Sequence, residues 1–426
     1  MKKHRKKHSA GLPAGRKSYY GFVRDYPGNE PIDSGYKSDV EKKQRRTTAV
    51  RWCFAALGFV FVFIVGYFAA TLMLDVSNLP LVEETIPPET DMAAGTEVPA
   101  TEPESTGNGS NGRNAIYLPP SSLLDVNSLN VKLDAAAAAG INAVVLDIKN
   151  ADGTINYDTA VPEALTAQAG SDDGKLLPAI DAVRQHGMEV IGLFNCFNDP
   201  LAASALSEGA VHYMGTDQLW LDTRPDKGGK AWLNPYSDVA RTYNVNVIRE
   251  AFNTLKLDKV LLTGVQFPDG FSMEKATFDG EESSSVGRNE TLRSFVDLVL
   301  DAVGGADKII LSVTGDSALN GDAARYDGSL LDSSARVCAP DLRQAQLPDP
   351  MTVGDQELSP AADMSGLISA ACKQIVSRAT LGGRSVGVMP ILDAPDGRSA
   401  SAYIQAAEAA GVSGYILWND SGNYTF

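Results

Sequence analysis

Residues 140–157 read GINAVVLDIKNADGTINY, an apolar run that ends in a polar turn. The run begins at 143 and continues through Asp147 to Lys149, with turn residues on both sides. Such a run is typical of a parallel strand buried on both faces. Because Asp147 and Lys149 are two residues apart, we expect both side chains on the same side of the sheet, at the strand end. That end is where α/β proteins hold their functional residues.

The same pattern recurs over the rest of the chain, as short apolar runs alternating with segments of helical periodicity. The runs lie at 115–118, 143–148, 190–194, 260–267, 309–313, 336–339, 386–392 and 414–418. Amphipathic helices are predicted at 125–139, 175–186, 237–255, 289–303, 363–381 and 399–410. Eight strands alternating with helices in roughly 310 residues predict a (β/α)8 TIM barrel, with the first strand paired to the last. The rival is an open doubly wound sheet, disfavoured because Pro119 and Pro120 follow the first strand in place of G-x-G-x-x-G.

The basic residues are concentrated at the start of the chain. Residues 1–51 hold 14 Lys/Arg against 5 Asp/Glu, whereas the remainder holds 23 against 48. This first segment lacks helical or strand periodicity, and we interpret it as a disordered cytoplasmic tail. Aromatic residues beside its basic clusters would also suit nucleic acid, but the acidic remainder repels nucleic acid and we expect none as a partner.

A transmembrane helix is predicted at 52–74, where 23 residues pass without a charge. As a helix this run would measure roughly 34 Å, enough to cross the hydrocarbon core of a membrane. Arg45, Arg46 and Arg51 precede it and Asp75 follows it, so the positive-inside rule places the N-terminus in the cytoplasm. A cleaved signal peptide is the alternative, and its apolar region would be only about 7 to 15 residues long.

Residues 75–113 are rich in Pro, Thr and Glu and predict an extended linker. The barrel is then expected over 114–426. The sequence therefore predicts a single-pass protein of the cell membrane, attached through one helix, whose C-terminal domain is extracellular.

Several classes of site are excluded by absent motifs. The segment after residue 74 has two histidines, His186 and His212, and no H-x-x-x-H or CxxC spacing, which argues against a zinc hydrolase and a His-based triad. No G-x-x-x-x-G-K-[ST] is present, which argues against nucleotide hydrolysis. We expect no cofactor and no metal. Cys196, Cys338 and Cys372 are expected to be small buried hydrophobes.

Candidate site residues come from the predicted strand ends, which form the mouth of a barrel. The candidate catalytic residues are Asp147 and Asp269. The candidate substrate-binding residues are Lys149, Asp199, Trp232, Asn234, Tyr236, Gln266, Asp393, Trp418 and Asn419. Carboxylates, amides and aromatic rings together suit a sugar, which offers hydroxyls and an apolar face. The competing interpretations are turn or N-cap roles for aspartates, packing for the rings, and a structural ion pair for the charged residues of the second strand.

A family resemblance begins in the same stretch. Residues 142–157, NAVVLDIKNADGTINY, resemble the NAxVIDVKDxxGxIxY signature of a bacterial family of glycosyl hydrolase domains, TIM barrels of largely uncharacterised activity. Asp199 with Pro200 resembles a DP motif of that family, 232–236 (WLNPY) its WVDPY, and 418–424 (WNDSGNY) its WNPSNxY. The resemblance covers about 114–426 and implies a glycoside-hydrolase-like barrel.

The chain departs from that family at two strand ends. The family's FDYVRFP reads LTGVQFP at 262–268, with Thr263, Gly264 and Gln266 at three of the changed positions, and its Ser-x-Asp ends here in Thr314. Ordinary glycoside hydrolysis needs two carboxyl groups. A threonine cannot replace either of these carboxyl groups.

The sequence therefore predicts a glycoside-hydrolase-like domain that acts on or binds a cell-envelope polysaccharide or oligosaccharide. Two alternatives stay open. One is a catalytically degenerate glycan-binding or scaffolding module, a pseudoenzyme. The other is a structural protein-interaction domain of the envelope, for which the sequence identifies no partner.

Overall fold

The computed structural model describes residues 113–282, 284–381 and 385–426. Their parallel strands form a closed barrel with eight strand positions, and neighbouring positions pair in chain order. The strands are β1 (Arg113–Leu118), β2 (Ala143–Lys149), β3 (Glu189–Asn195), β4 (Lys259–Thr263), β5 (Ile309–Thr314), β6 (Val337–Asp341), β7 (Gly387–Val388), β8 (Ile391–Asp393) and β9 (Gly414–Trp418). Strand β1 pairs with both β2 and β9, so the predicted barrel and its closure are confirmed.

The seventh strand position is divided between β7 and β8. The sequence predicts one strand over 386–392, and the division falls at Pro390, which has no N–H to donate to a ladder. The ladder continues through the flanking groups: the Met389 amide donates to the carbonyl of Cys338, and Pro390 accepts from the amide of Ile416, both at 2.9 Å. The barrel therefore stays closed across the interruption.

The α-helices of the described residues surround this barrel. They are α1 (Val126–Ala138), α2 (Pro162–Thr166), α3 (Leu176–Gln185), α4 (Pro200–Ala205), α5 (Asp238–Thr254), α6 (Arg288–Val303), α7 (Gly315–Asn320), α8 (Met364–Ala379) and α9 (Gly397–Glu408). All six predicted helices are present. The unpredicted helices α2, α4 and α7 have only five or six residues, too few to show a helical period.

The core has two layers, because alternate residues of each strand face opposite sides. Small and branched side chains such as Val145, Leu261 and Ile416 fill the inside of the barrel, while a larger cluster lies between the strands and the helices. The three cysteines of the described residues are free and buried, as expected. Toward the C-terminal ends of the strands the inward positions become polar, and these positions form the site.

Strand β2 contains a bulge. Asp147 lies opposite Leu193 of β3, but Lys149 lies opposite the next residue, Phe194, so one extra residue sits between them in β2. An extra residue reverses the alternation of side chains. The expectation that Asp147 and Lys149 share a side of the sheet is therefore wrong.

The predicted tail 1–51, the predicted helix 52–74 and all but the last residue of the linker 75–113 lie outside the described residues. Arg113, the last linker residue, begins β1. Within the part of the chain that the structure describes, none of the helices has the length and apolar character needed to cross a membrane.

Candidate functional site at the mouth of the barrel

A cavity of about 440 Å³ opens at the C-terminal ends of the strands. This volume falls in the range of about 300–1,000 Å³ that small-molecule sites occupy. Its lining comes from the strands β1 to β6, β8 and β9 and from the loops that follow them. The polar and aromatic lining residues are Tyr117, Asp147, Asn150, Asn195, Asn198, Trp232, Thr263, Gln266, Ser312, Thr314, Arg325, Tyr326, Asp341, Arg343, Gln346 and Trp418.

Asp147 is the buried carboxylate of this cavity. The Tyr117 hydroxyl donates to its Oδ2 at 2.7 Å. Burial raises the pKa of Asp147, and the hydrogen bond from Tyr117 offsets part of that rise. Burial, reinforced by the adjacent carboxylate, raises the pKa of Tyr117 far above its ordinary value, so its hydroxyl keeps its proton and remains a donor. Asp147 therefore takes a proton more readily than an exposed aspartate does, and its carboxylate can accept a hydrogen bond from a ligand.

The second cavity carboxylate is held by an arginine. Arg343 donates to both oxygens of Asp341, at 2.9 and 2.6 Å. The same guanidinium lies 4.4 Å from the centre of the Trp418 ring, and Trp418 in turn stacks on Tyr117 at 3.7 Å with their planes 3° apart. Both faces of Trp418 are thus covered by protein. We expected Trp418 to offer a face for sugar stacking, but only its edge is open to a ligand.

Two amide oxygens of the cavity lack partners. The Oδ1 atoms of Asn195 and Asn198 are buried and have no hydrogen-bond donor among the described residues. There is space beside Asn195 because residue 264 is a glycine. A Cβ at position 264 would lie 2.6 Å from Asn195 Oδ1. A buried acceptor without a donor is costly, so a hydroxyl-bearing ligand would relieve the cost.

Thr263 and Thr314, the threonines where the family resemblance implies carboxylates, both line the cavity. Thr263 donates to the carbonyl of Phe194 at 3.3 Å, and Thr314 accepts from the amide of Ser317, at 3.3 Å, as the N-cap of α7. Both side chains are neutral. Of the described acidic residues, those that line this cavity are Asp147 and Asp341, from the strands at the second and sixth positions of the barrel.

Asp269 lies outside the cavity lining, so the predicted catalytic residues Asp147 and Asp269 are not brought together in it. Asp269 is exposed and pairs with Arg325 at 3.1 Å. The predicted strand 260–267 was too long: β4 ends at Thr263, and Gly264 turns the chain with a φ of +63°. The extra loop carries Asp269 away from the strand end.

Lys149 and Asp199 form a buried ion pair outside the cavity lining. Lys149 Nζ lies 2.8 Å from Asp199 Oδ2, and the two side chains are 1% and 0% exposed. Asp199 also accepts from Ala202 at the start of α4 and from the Tyr243 hydroxyl of α5. Lys149 is therefore in an ion pair, but its partner is Asp199 and not Asp147. Neither residue reaches the cavity.

The aromatic segment between β3 and β4 contributes one ring to the cavity. Trp232 lines it, but only 6% of the residue is exposed and its indole N–H donates to Asp222 at 3.1 Å. Asn234 is fully buried, accepts from the amide of Tyr236 at 3.0 Å and donates to the carbonyl of Asp279 at 2.9 Å. Asn234 and Tyr236 thus stabilise a turn outside the cavity.

The remaining predicted residues lie in or beside the mouth. Gln266 lines the cavity and accepts from the Tyr326 hydroxyl at 3.0 Å. Asp393 and Asn419 line a neighbouring cavity of about 480 Å³.

Tyr117 was not predicted, because it lies in a short apolar run. The alternation of β1, which turns residues 115 and 117 inward, is the sequence signal that would have identified it.

Comparison of the sequence with family models gives one match, over part of the barrel. Residues 115–314 match the family described as "Putative glycosyl hydrolase domain". The predicted resemblance to glycosyl hydrolase domains is confirmed over this segment, which runs from β1 to the end of β5. No curated protein matches the chain.

Solved structures give more distant likenesses. A hypothetical protein from Ruminiclostridium thermocellum ATCC 27405 is 22% identical, covers 46% of this chain and 95% of its own, and has a TM-score of 0.40. The catalytic domain of β-amylase from Paenibacillus polymyxa is 11% identical over 74% of this chain and 96% of its own, with a TM-score of 0.45. The cycloalternan-forming enzyme from Listeria monocytogenes, in complex with a pentasaccharide substrate, is 13% identical over 73% and 29%, also with a TM-score of 0.45. Likeness at this level does not transfer an activity or a substrate to this chain.

Proposed function

We propose that the mouth of this glycosyl-hydrolase-like barrel binds an oligosaccharide or polysaccharide and does not hydrolyse it by the two-carboxylate route. One observation carries the proposal: Thr263 and Thr314 line a cavity that keeps unpaired hydrogen-bond acceptors. The carboxylates that the family resemblance places at those two positions are replaced, while the means of holding hydroxyl groups remain.

Sugar binding is supported by the chemistry of the lining. Asn195 and Asn198 present buried oxygens without donors, and Asp147 presents a carboxylate that accepts one hydrogen bond from Tyr117. The hydroxyls of a sugar are the donors that such oxygens require. The wall of Tyr117, Trp418 and Arg343 is rigid because the three groups stack on one another, so the lining needs little reordering when a ligand binds.

Loss of hydrolysis is supported by the state of the remaining carboxylates. The usual mechanisms need an acid and a base or nucleophile at a fixed separation. Asp147, with its raised pKa, could serve as an acid. Asp341, however, has both oxygens bonded to Arg343, and this bidentate pair makes it a weaker base and nucleophile than a free carboxylate.

We further propose that the ligand is a polysaccharide of the cell envelope and that the domain acts outside the cell. The support is the charge pattern of the sequence, with arginines before the apolar run 52–74 and an acidic residue after it. The linker 75–113 would let the barrel reach away from the membrane.

The test is binding of the purified full-length chain to a panel of defined oligosaccharides, followed by titration calorimetry on those that bind. Asp147→Ala and Asn198→Ala should each weaken binding roughly tenfold, since each removes one hydrogen bond to the ligand. Asp301→Asn, an exposed change on α6, is the matched control and should bind like the wild type. A chain that binds none of the panel, or that binds equally well in both cavity variants, would contradict the proposal.

A further inference from the structure

The mouth of the barrel holds a second cavity beside the first. It measures about 480 Å³ and lies over the ends of β6, β8 and β9. Its lining includes two carboxylates, Asp393 and Asp420, and one further aromatic ring, Tyr403. Nothing in the family match places a role here, because that match ends at residue 314.

The two cavities share one wall. Arg343, Gln346 and Trp418 line both of them. Trp418 is fixed in this wall, since Tyr117 and Arg343 cover its two faces and its indole N–H donates to Asp420 at 2.8 Å. The two cavities are therefore adjacent, with Trp418 between them.

The second cavity also offers carboxylate acceptors, half-buried at Asp393 and exposed at Asp420. Asp393 Oδ2 accepts from the amide of Gln344 at 2.7 Å, and Asp420 Oδ1 accepts from Trp418. The other oxygen of each carboxylate has no hydrogen-bond donor within the described ranges. Asn419 has a different role, because its side chain donates to the carbonyl of Ala394 and accepts from Ser421, which holds the loop in place.

We propose that the ligand is a chain of several sugar units that occupies both cavities, so that the barrel recognises an extended oligosaccharide or an internal stretch of a polysaccharide. This inference rests on the proposed sugar binding at the first cavity. The sugar chain passes the edge of Trp418, which lies between the two cavities. Asp393 binds hydroxyls of the sugar units in the second cavity. A single sugar fills only one of the two cavities.

The experiment measures the dissociation constants of the full-length chain for cello-, malto- and N-acetylglucosamine oligomers, each series running from the monosaccharide to the hexasaccharide. In the series that binds, affinity should rise by roughly tenfold or more between the shortest and the longest members, as hydrogen bonds in the second cavity are added. Asp393→Asn keeps the acceptor for the Gln344 amide and removes the charge. It should weaken binding of the long oligomers about tenfold and leave the short ones unchanged.

Asp147→Ala is the matched variant in the first cavity and should weaken short and long oligomers alike, whereas Asp301→Asn should change neither. Equal affinity for every length, or an Asp393→Asn effect that is the same on short and long oligomers, would overturn the two-cavity inference while sugar binding itself stands. Absence of binding to all members of all three series would overturn the proposed function and this inference together.

Discussion

Replacing Lys149 with methionine tests whether its buried ion pair with Asp199 is structural. Lys149 Nζ lies 2.8 Å from Asp199 Oδ2 and donates to the carbonyl of Asn195 at 2.6 Å and to Asn244 Oδ1 at 3.3 Å. Methionine keeps most of the side-chain volume but removes the ammonium group, so Asp199 stays buried without its cation. Removal of one partner from a buried pair costs about 3–5 kcal/mol. We expect Lys149→Met to lower the free energy of unfolding by that amount.

The assay is urea unfolding of the full-length chain, followed by tryptophan fluorescence, with sugar binding measured in parallel. The midpoint should fall by roughly 1–2 M urea. Lys373→Met, an exposed change on α8, is the control and should stay within about 0.5 kcal/mol of the wild type. If Lys149→Met were as stable as this control but had lost sugar binding, Lys149 would belong to the site and the structural account would be wrong.

Three further predictions concern the cavity, the closure and the membrane. Burial raises the pKa of Asp147 above its ordinary 3.8. The protonated carboxyl therefore adds to the free energy of unfolding below pH 3.8, and this contribution is lost as pH rises through the folded-state pKa. Asp147→Asn should therefore raise the free energy of unfolding at pH 7 by roughly 0.5–2 kcal/mol while weakening sugar binding, and a less stable variant in thermal unfolding at pH 7 would contradict this. A chain truncated before Gly411 should fail to fold, since β9 pairs with both β1 and β8; a soluble product with a cooperative melt would contradict that. Protease added to cells with an opened wall should remove 75–426 and leave a fragment of tail and helix, whereas full protection of the domain would refute the predicted topology.

The fold was predictable because the signals that define it are local and repeated. Each strand is a short apolar run and each long helix shows its own period, and the last strand, 414–418, has the bounds that the sequence predicts. Pro390 and Gly264 changed two strand bounds. Both changes could have been anticipated from residue type, because proline has no backbone N–H to donate and glycine readily adopts a positive φ.

The site was less predictable, because the direction of its side chains depends on a β-bulge and on long-range contacts that the sequence does not show. One extra residue in β2 turned Lys149 away from the cavity toward Asp199, although the alternation rule placed it beside Asp147. Trp418 lies at the mouth as predicted, yet its faces are covered by Tyr117 and Arg343, which are far from it in sequence. Long-range contacts of this kind emerge only when the barrel closes.

The central claim, binding without hydrolysis, is tested most directly by the length of the bound sugar. The oligosaccharide with the highest affinity would be incubated with the full-length chain for days, recovered, and measured by mass spectrometry. We predict that it is recovered at its original length, because Thr263 and Thr314 cannot transfer protons as a carboxylate pair does. Recovery of shortened chains from the wild type, with intact chains from both Asp147→Asn and Asp341→Asn, would show that these two carboxylates form a working catalytic pair and would contradict the account.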